Sequence, residues 1–301
     1  MKKIFFVILF FSIKITFACD ICGGVGGNAT IGMFASTQFH MFGIKSNFQS
    51  YQSRMNGIIH SKEFIFRNEL NFRFQMNKHL QVISSLPYQS SFQIRDLGRD
   101  QKFGIGDPLL LVNGIFLHKK DSSGSTRHFL SGSIGLKSPL GKFSSPQSSL
   151  MNMYPGTGSW DGLFLIQFVK GFKQRWSSQN EVSFALKTAN KYGYRYGDVF
   201  QISSNILHNH KLAWRRMIES VGFIYTHFEP STLNNQTLNE FNNQGNILML
   251  KSSLHLITFN WILGVNATLP IAQKINNGSV KQTLGAEISC TYLLTTKNKN
   301  K

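Results

Sequence analysis

The sequence predicts an all-β fold, an antiparallel up-and-down transmembrane β-barrel of about 12 strands, and three observations predict it. Apolar and polar residues alternate with a period of two from near the start of the chain to near its end. Turn residues cut that pattern into segments about 12 residues long. The connections between segments are alternately short and long, as in a barrel with tight turns at one end and loops at the other.

The alternation is clearest between Phe64 and Gln75. Phe64, Phe66, Leu70, Phe72 and Phe74 form one row, broken only by Asn68. The interleaved row, Ile65, Arg67, Glu69, Asn71, Arg73 and Gln75, is almost entirely polar. Since successive side chains of a strand point to opposite faces, one face meets oil and the other water. The pattern recurs in Val182, Phe184 and Leu186 against Glu181, Ser183, Ala185 and Lys187. It returns in Leu284, Ala286, Ile288, Cys290 and Tyr292 against Thr283, Gly285, Glu287 and Ser289.

Taken in order, the predicted strands are Phe42 to Arg54, Glu63 to Gln75, His79 to Arg95, Ile105 to His118, Arg127 to Ser138 and Ser159 to Phe172. They continue as Arg175 to Thr188, Tyr196 to His208, Trp214 to Phe228, Asn246 to Thr258, Trp261 to Ile271 and Val280 to Thr295. Met76 to Lys78, Lys173 to Gln174 and Asn209 to Ala213 are short connections, whereas Lys142 to Gly158 and Glu229 to Gly245 are long. A soluble all-β sandwich or lipocalin-like barrel shows the same period with the faces exchanged. Mid-strand charges on the polar face, aromatic residues near strand ends and sparse charge overall (15%) favour the membrane.

Residues 1–18 carry the three parts of a Sec-type export signal: Lys2 and Lys3, the apolar run Ile4 to Ile13, and Ala18 before the cut. An apolar run of about 10 residues reaches about 15 Å as a helix, half of a bilayer core. The expected layout is therefore a signal at 1–18, a Cys/Gly-rich plug or periplasmic extension at 19–41, the barrel at 42–295 and a basic tail at 296–301. Cell outer membrane of a Gram-negative bacterium is the expected location.

Lys plus Arg total 32 and Asp plus Glu 14; without Lys2, Lys3 and Lys14 the chain keeps 29 − 14 = +15. Such an excess calls for an anionic neighbour. Lipid headgroups and lipopolysaccharide phosphates suit an exported barrel, and nucleic acid does not, since no basic helix or RNA-binding motif is present. The other expected partners are a small-molecule solute and the barrel-assembly machinery.

Charges placed at mid-depth on a lipid face cost about 2–4 kcal/mol for Arg or Lys, so they should face the lumen. That argument nominates Arg67, Glu69, Arg73, Glu181, Lys187, Glu219, Lys251 and Glu287 as lumen-lining residues. They would fill a narrow barrel with ion pairs and hold the polar end of a solute. The mixture of signs argues against strong ion selectivity. Cys19 and Cys22 form a C-x-x-C that suits a local disulfide, a soft metal such as copper, or, at Cys19, a lipid anchor. No other cofactor is expected. His208 and His210 flank Asn209 and invite a metal reading, since i, i+2 positions of a strand share a face, but the pair falls at a predicted short turn, which favours solvated turn residues; Cys290 lies with Ile288 and Tyr292 on the apolar face. Serine-hydrolase, Walker, HExxH and dinucleotide-binding motifs are missing, so an enzyme is not expected.

Three segments carry a resemblance. Gly104-Ile105-Gly106-Asp107, Gly135-Leu136-Lys137-Ser138-Pro139-Leu140-Gly141 and Pro155-Gly156-Thr157-Gly158-Ser159-Trp160-Asp161 resemble, in order and spacing, the outer-membrane barrel family named for the phenol-degradation meta-pathway. Cys19-Asp20-Ile21-Cys22-Gly23-Gly24 looks like the mature start of a Bacteroidetes-type subset. The resemblance implies a barrel acting as a passive transporter or channel for small, hydrophobic or aromatic molecules. It brings no catalytic residues. Two other functions remain beside it: copper binding through the C-x-x-C, and a structural barrel without transport. In physical terms Gly104 and Gly106 would permit positive φ at a tight strand entry, and Asp107 would accept bonds from exposed amides.

Overall fold

The computed structural model describes residues 39–55, 57–95, 98–120, 126–143, 153–173, 175–212, 215–238 and 244–295. The signal, the C-x-x-C and the basic tail lie outside the described residues. The strands are β1 Phe39–Met55, β2 Ile58–Gln75, β3 Leu80–Arg95, β4 Gly98–Ile105, β5 Leu109–Lys120, β6 Thr126–Lys137, β7 Asp161–Lys173 and β8 Trp176–Leu186. There follow β9 Tyr194–Arg195, β10 Val199–Leu212, β11 Arg215–Phe228, β12 Thr232–Leu233, β13 Gln236–Thr237, β14 Gly245–Thr258, β15 Trp261–Ile275 and β16 Val280–Thr295. β9, β12 and β13 form a small separate sheet among the long loops. All the others belong to one antiparallel sheet that closes on itself through the β1–β16 and β2–β3 pairings.

The wall has 12 positions, because β4 and β5 share one. β3 pairs with β5 along Leu80 to Ser85 and with β4 along Tyr88 to Arg95. The predicted strand from Ile105 to His118 is therefore β5 from Leu109 onward, while β4, which the sequence does not predict as a strand, precedes it across the break at Gly106-Asp107-Pro108. The break lies opposite Pro87, which has no amide hydrogen to offer a ladder. A second proline, Pro270, marks the other flaw. Pairing of β15 with β16 lapses between Thr268 and Ile275, and Gln273 bridges the gap. Its Nε2 donates to the Gln282 carbonyl and its Oε1 accepts from the Gln282 amide, both at 2.8 Å.

Which face is which follows from burial. The exposed face carries Phe42, Ile44, Phe66, Leu70, Phe74, Ile166, Ile206, Val221, Phe223, Val265 and Ile288, whereas Gln, Ser, Asn, Glu and Lys fill much of the interior. A soluble protein buries the first set and exposes the second. Here the order is inverted, so the oily exterior requires lipid. Trp176, Trp261 and Tyr292 stand at the short-turn end, with the Trp261 and Tyr292 rings 4.8 Å apart, where an interfacial girdle belongs. β2 is 18 residues long, more than the 9–11 that a tilted strand needs to cross, so the wall extends beyond the membrane.

Candidate functional site

The lumen is layered. At mid-depth, Lys45 on β1 stands directly opposite Glu69 on β2 and diagonally from Glu287 on β16. Its Nζ lies 2.8 Å from Glu69 Oε2 and 4.0 Å from Glu287 Oε2. Arg67 Nε donates to Glu69 Oε1 at 2.8 Å, and Asn266 Nδ2 donates to Glu287 Oε1 at 2.6 Å. Arg67 on β2, Gln89 on β3, Gln201 on β10, Thr226 on β11 and Lys251 on β14 line one common space, so the lumen is narrow. A cavity of about 100 Å³ runs through this belt, and Gln49, Gln89, Gln201 and Gln282 are among the neutral residues that line it.

Apolar layers lie above and below the belt. Tyr51, Leu163, Ala185, Val199, Phe228, Ile247, Ile275 and Val280, near the long-loop ends of their strands, belong to a buried cluster that also holds Ile65, Ile83 and Leu111. Met41, Ile262 and Leu293 form a second cluster at the short-turn end, and Ile115 packs on Phe129 nearby. Charged residues are set among both clusters, buried Glu63 opposite Tyr51 and buried Arg73 opposite Met41, so a solute moving along the axis meets mixed apolar and charged surface, with most of the charge at mid-depth.

The three resemblance segments converge on one buried cluster at the long-loop rim. Asp107 Oδ1 accepts the Gly141 amide at 2.9 Å; Oδ2 accepts the Thr157 amide and hydroxyl, both at 2.8 Å. Lys137 Nζ lies 2.5 Å from Asp161 Oδ2 and 3.4 Å from Asp107 Oδ2, and Lys187 Nζ lies 3.0 Å from Asp161 Oδ2. Ser159 donates to Asp161 Oδ1 at 2.9 Å. Asp198 extends the network, accepting the Lys187 amide at 2.8 Å and pairing with Arg195 at 2.7 Å. These bonds tie the loop between β6 and β7 back onto the broken wall. Gly104 has φ +155°, but Gly106 does not take positive φ. It is glycine for closeness, since a Cβ there would lie 2.8 Å from the Pro155 carbonyl oxygen. Pro155 and Gly156 approach the same cluster, and Gly156 donates to the Lys142 carbonyl at 2.9 Å.

Arg67, Glu69, Arg73, Glu181, Lys251 and Glu287 face inward as the alternation requires. Two nominated residues lie elsewhere. Lys187 is buried just past β8 and belongs to the rim cluster. Glu219 points out of the barrel: on β11 the inward row is Ser220, Gly222, Ile224, Thr226 and Phe228, and Glu219 keeps company with Val221 and Phe223. The rule that charges face in fails near the strand end, where an outward carboxylate reaches the headgroup zone. β10 runs on to Leu212, so His208 and His210 sit on a strand and not in a turn. Cys290 is a half-buried free thiol on β16. Lys45, Lys137 and Asp198 went unnominated. The alternation Phe42, Ile44, Ser46, Phe48 against Gly43, Lys45, Asn47, Gln49 holds the signal for Lys45.

A closed antiparallel barrel with an apolar exterior and a polar mid-lumen defines an outer-membrane-type β-barrel. The chain is similar to an outer membrane channel from Pseudomonas putida F1, with a TM-score of 0.65 and 12% identity over 85% of this chain and 95% of that one. It is also similar to the β-domain of the Bordetella autotransporter BrkA, with a TM-score of 0.51 and 8% identity over 84% and 99% of the two chains. These likenesses are of fold. No family model matches the sequence, and no curated relative matches it.

Proposed function

We propose that this chain is an outer-membrane channel that passes small molecules with an aromatic or otherwise apolar body and one polar end. The apolar clusters beside a charged mid-lumen belt are the observation that carries this reading. The apolar clusters around Phe228 and Met41 offer desolvated surface to the body of a solute. Between them Lys45, Glu69, Arg67 and Glu287 form a chain of ion pairs 2.8–4.0 Å long, with charges of both signs, which suits a polar or zwitterionic head group and disfavours the steady passage of one ion. The fold shared with a Pseudomonas putida outer membrane channel supports a channel, and the resemblance to the meta-pathway barrels supports this class of solute. In this reading the oily wall sits in the outer membrane of a Gram-negative bacterium, with long loops outside and short turns in the periplasm. Lipid tails and lipopolysaccharide phosphates are its neighbours there.

Proteoliposomes test it. Phenylalanine, an aromatic zwitterion that crosses lipid slowly, should enter several times faster than a sugar of similar size, and both faster than into protein-free vesicles. Equal rates for the two solutes, or no rate above the protein-free vesicles, would overturn the proposal.

A further inference from the structure

Three metal-binding side chains meet on the outer wall, away from the lumen. β10 carries His208 and His210 on the same face, and Glu219 of β11 stands directly opposite His208 in the register. His208 Nδ1 lies 2.8 Å from His210 Nε2, and His210 Nε2 lies 3.2 Å from Glu219 Oε2. All three donor atoms fall within 4.8 Å of one another. In a tetrahedral site with metal–ligand distances of about 2.0–2.1 Å, donors are spaced about 3.4 Å apart. Two of the three spacings already approximate that value.

The arrangement is also held. The His208 ring stacks on Trp176, with centroids 4.3 Å apart and planes 29° apart, and its Cα is paired to Trp176 in the β8–β10 register. The β10–β11 ladder runs past all three Cα positions, the β8 ladder reaches His208, and the β14 ladder flanks Glu219. The site thus rests on paired strands and not on a loop, which is where precise coordination geometry is best kept. Nothing in the channel's polar belt calls for two imidazoles and a carboxylate on the lipid-facing side.

We propose that His208, His210 and Glu219 form a binding site for a divalent d-block cation of the zinc class, with a fourth position open to water. Two imidazoles and a carboxylate are borderline ligands that suit Zn(II), Ni(II) and Cu(II) and not Ca(II) or Mg(II). The ion replaces the contact between the two imidazoles and joins β10 to β11 close to their turn. Lys211, Arg215 and Arg216 flank the cluster in the same hairpin and oppose a cation, which weakens its affinity.

The test uses the full mature chain carrying Cys19→Ser and Cys22→Ser, so that the N-terminal cysteines contribute nothing, refolded in detergent and freed of metal. Calorimetric titration with ZnCl₂ should give one site per chain, and Mg(II) should give none. His210→Ala should weaken binding at least about tenfold and Glu219→Gln several-fold, while His60→Ala, an exposed histidine on another strand, changes nothing. Folding of every variant is checked by the mobility difference between boiled and unboiled samples, and the outward position of the three side chains means that folding survives. No saturable zinc binding by the parent below about 100 µM, or equal binding by folded His210→Ala, would overturn the proposal.

Discussion

Asp107→Ala is the substitution from which the structure predicts most. Its carboxylate accepts the Gly141 amide, the Thr157 amide and the Thr157 hydroxyl within 2.8–2.9 Å, and faces Lys137 at 3.4 Å. It is 4% exposed, so water does not replace those bonds without structural change. Hydrogen bonds to a charged group contribute about 1.5–3 kcal/mol each, and three that share one carboxylate act as a unit and not as a sum. A cost of about 3–6 kcal/mol follows. It falls on the attachment of the loop between β6 and β7, because the wall on either side keeps its own ladders. At 1.4 kcal/mol per factor of ten, the open population of the loop rises about 10²–10⁴-fold. Limited proteolysis of the folded barrel in detergent reads that population directly, with fragments mapped to the loop by mass. Asp107→Asn should fall between parent and alanine, since its one carbonyl oxygen can serve Thr157 while its amide meets the Gly141 N–H donor to donor. Loop cleavage of Asp107→Ala at the parental rate, with the barrel still folded, would refute the reasoning that this carboxylate holds the loop.

Three further outcomes are expected. Glu69→Gln removes the partner of Lys45 and Arg67; because the cavity beside it admits water, the cost is about 2 kcal/mol against 3–5 for a dry pair, and reversal potentials in planar bilayers should shift toward anions. Unchanged selectivity would separate this belt from conduction. Gly158→Ala forces a side chain onto φ +71° and within 2.5 Å of the Phe143 ring, which should weaken the rim by about 2 kcal/mol and sensitise the same loop to protease. Gln273→Ala takes away both bonds across the Pro270 gap and should lower the denaturant midpoint, equivalent to about 1–2 kcal/mol, while leaving the interior charges alone. A midpoint equal to the parent's would mean that this part of the wall is not limiting.

The architecture was legible in the sequence because a lipid-exposed barrel writes its two solvents into alternate residues. Phe64, Phe66 and Phe72 against Arg67, Glu69 and Arg73 need only the period-two rule. What that rule cannot supply is pairing partners. Lys45 and Glu69 become neighbours through the β1–β2 register, and Glu287 joins them only when the last strand returns to the first. Gly104-Ile105-Gly106-Asp107 reads as the opening of a strand, and only the pairing of β3 with both β4 and β5 shows it to be a break within one wall position. Glu219 misled because a depth-dependent penalty was applied without knowing the depth. Of the resemblance segments, each looked like turn chemistry in isolation; Asp107 and Thr157 are 50 residues apart, and only folding shows that they bond.

The pairing of β1 with β16 has a kinetic meaning. Phe39 is matched to Thr295, and every wall position between them must be laid down before that seam can zip. Joining ends so far apart costs loop-closure entropy that no local hairpin repays in advance. An incomplete chain therefore presents two bare strand edges together with a face of exposed phenylalanines, a combination prone to edge-to-edge association. Removing the final strand alone should convert the barrel from a self-sealed ring into a species that recruits other β-edges, and the last 16 residues of the wall act as the latch for all the rest.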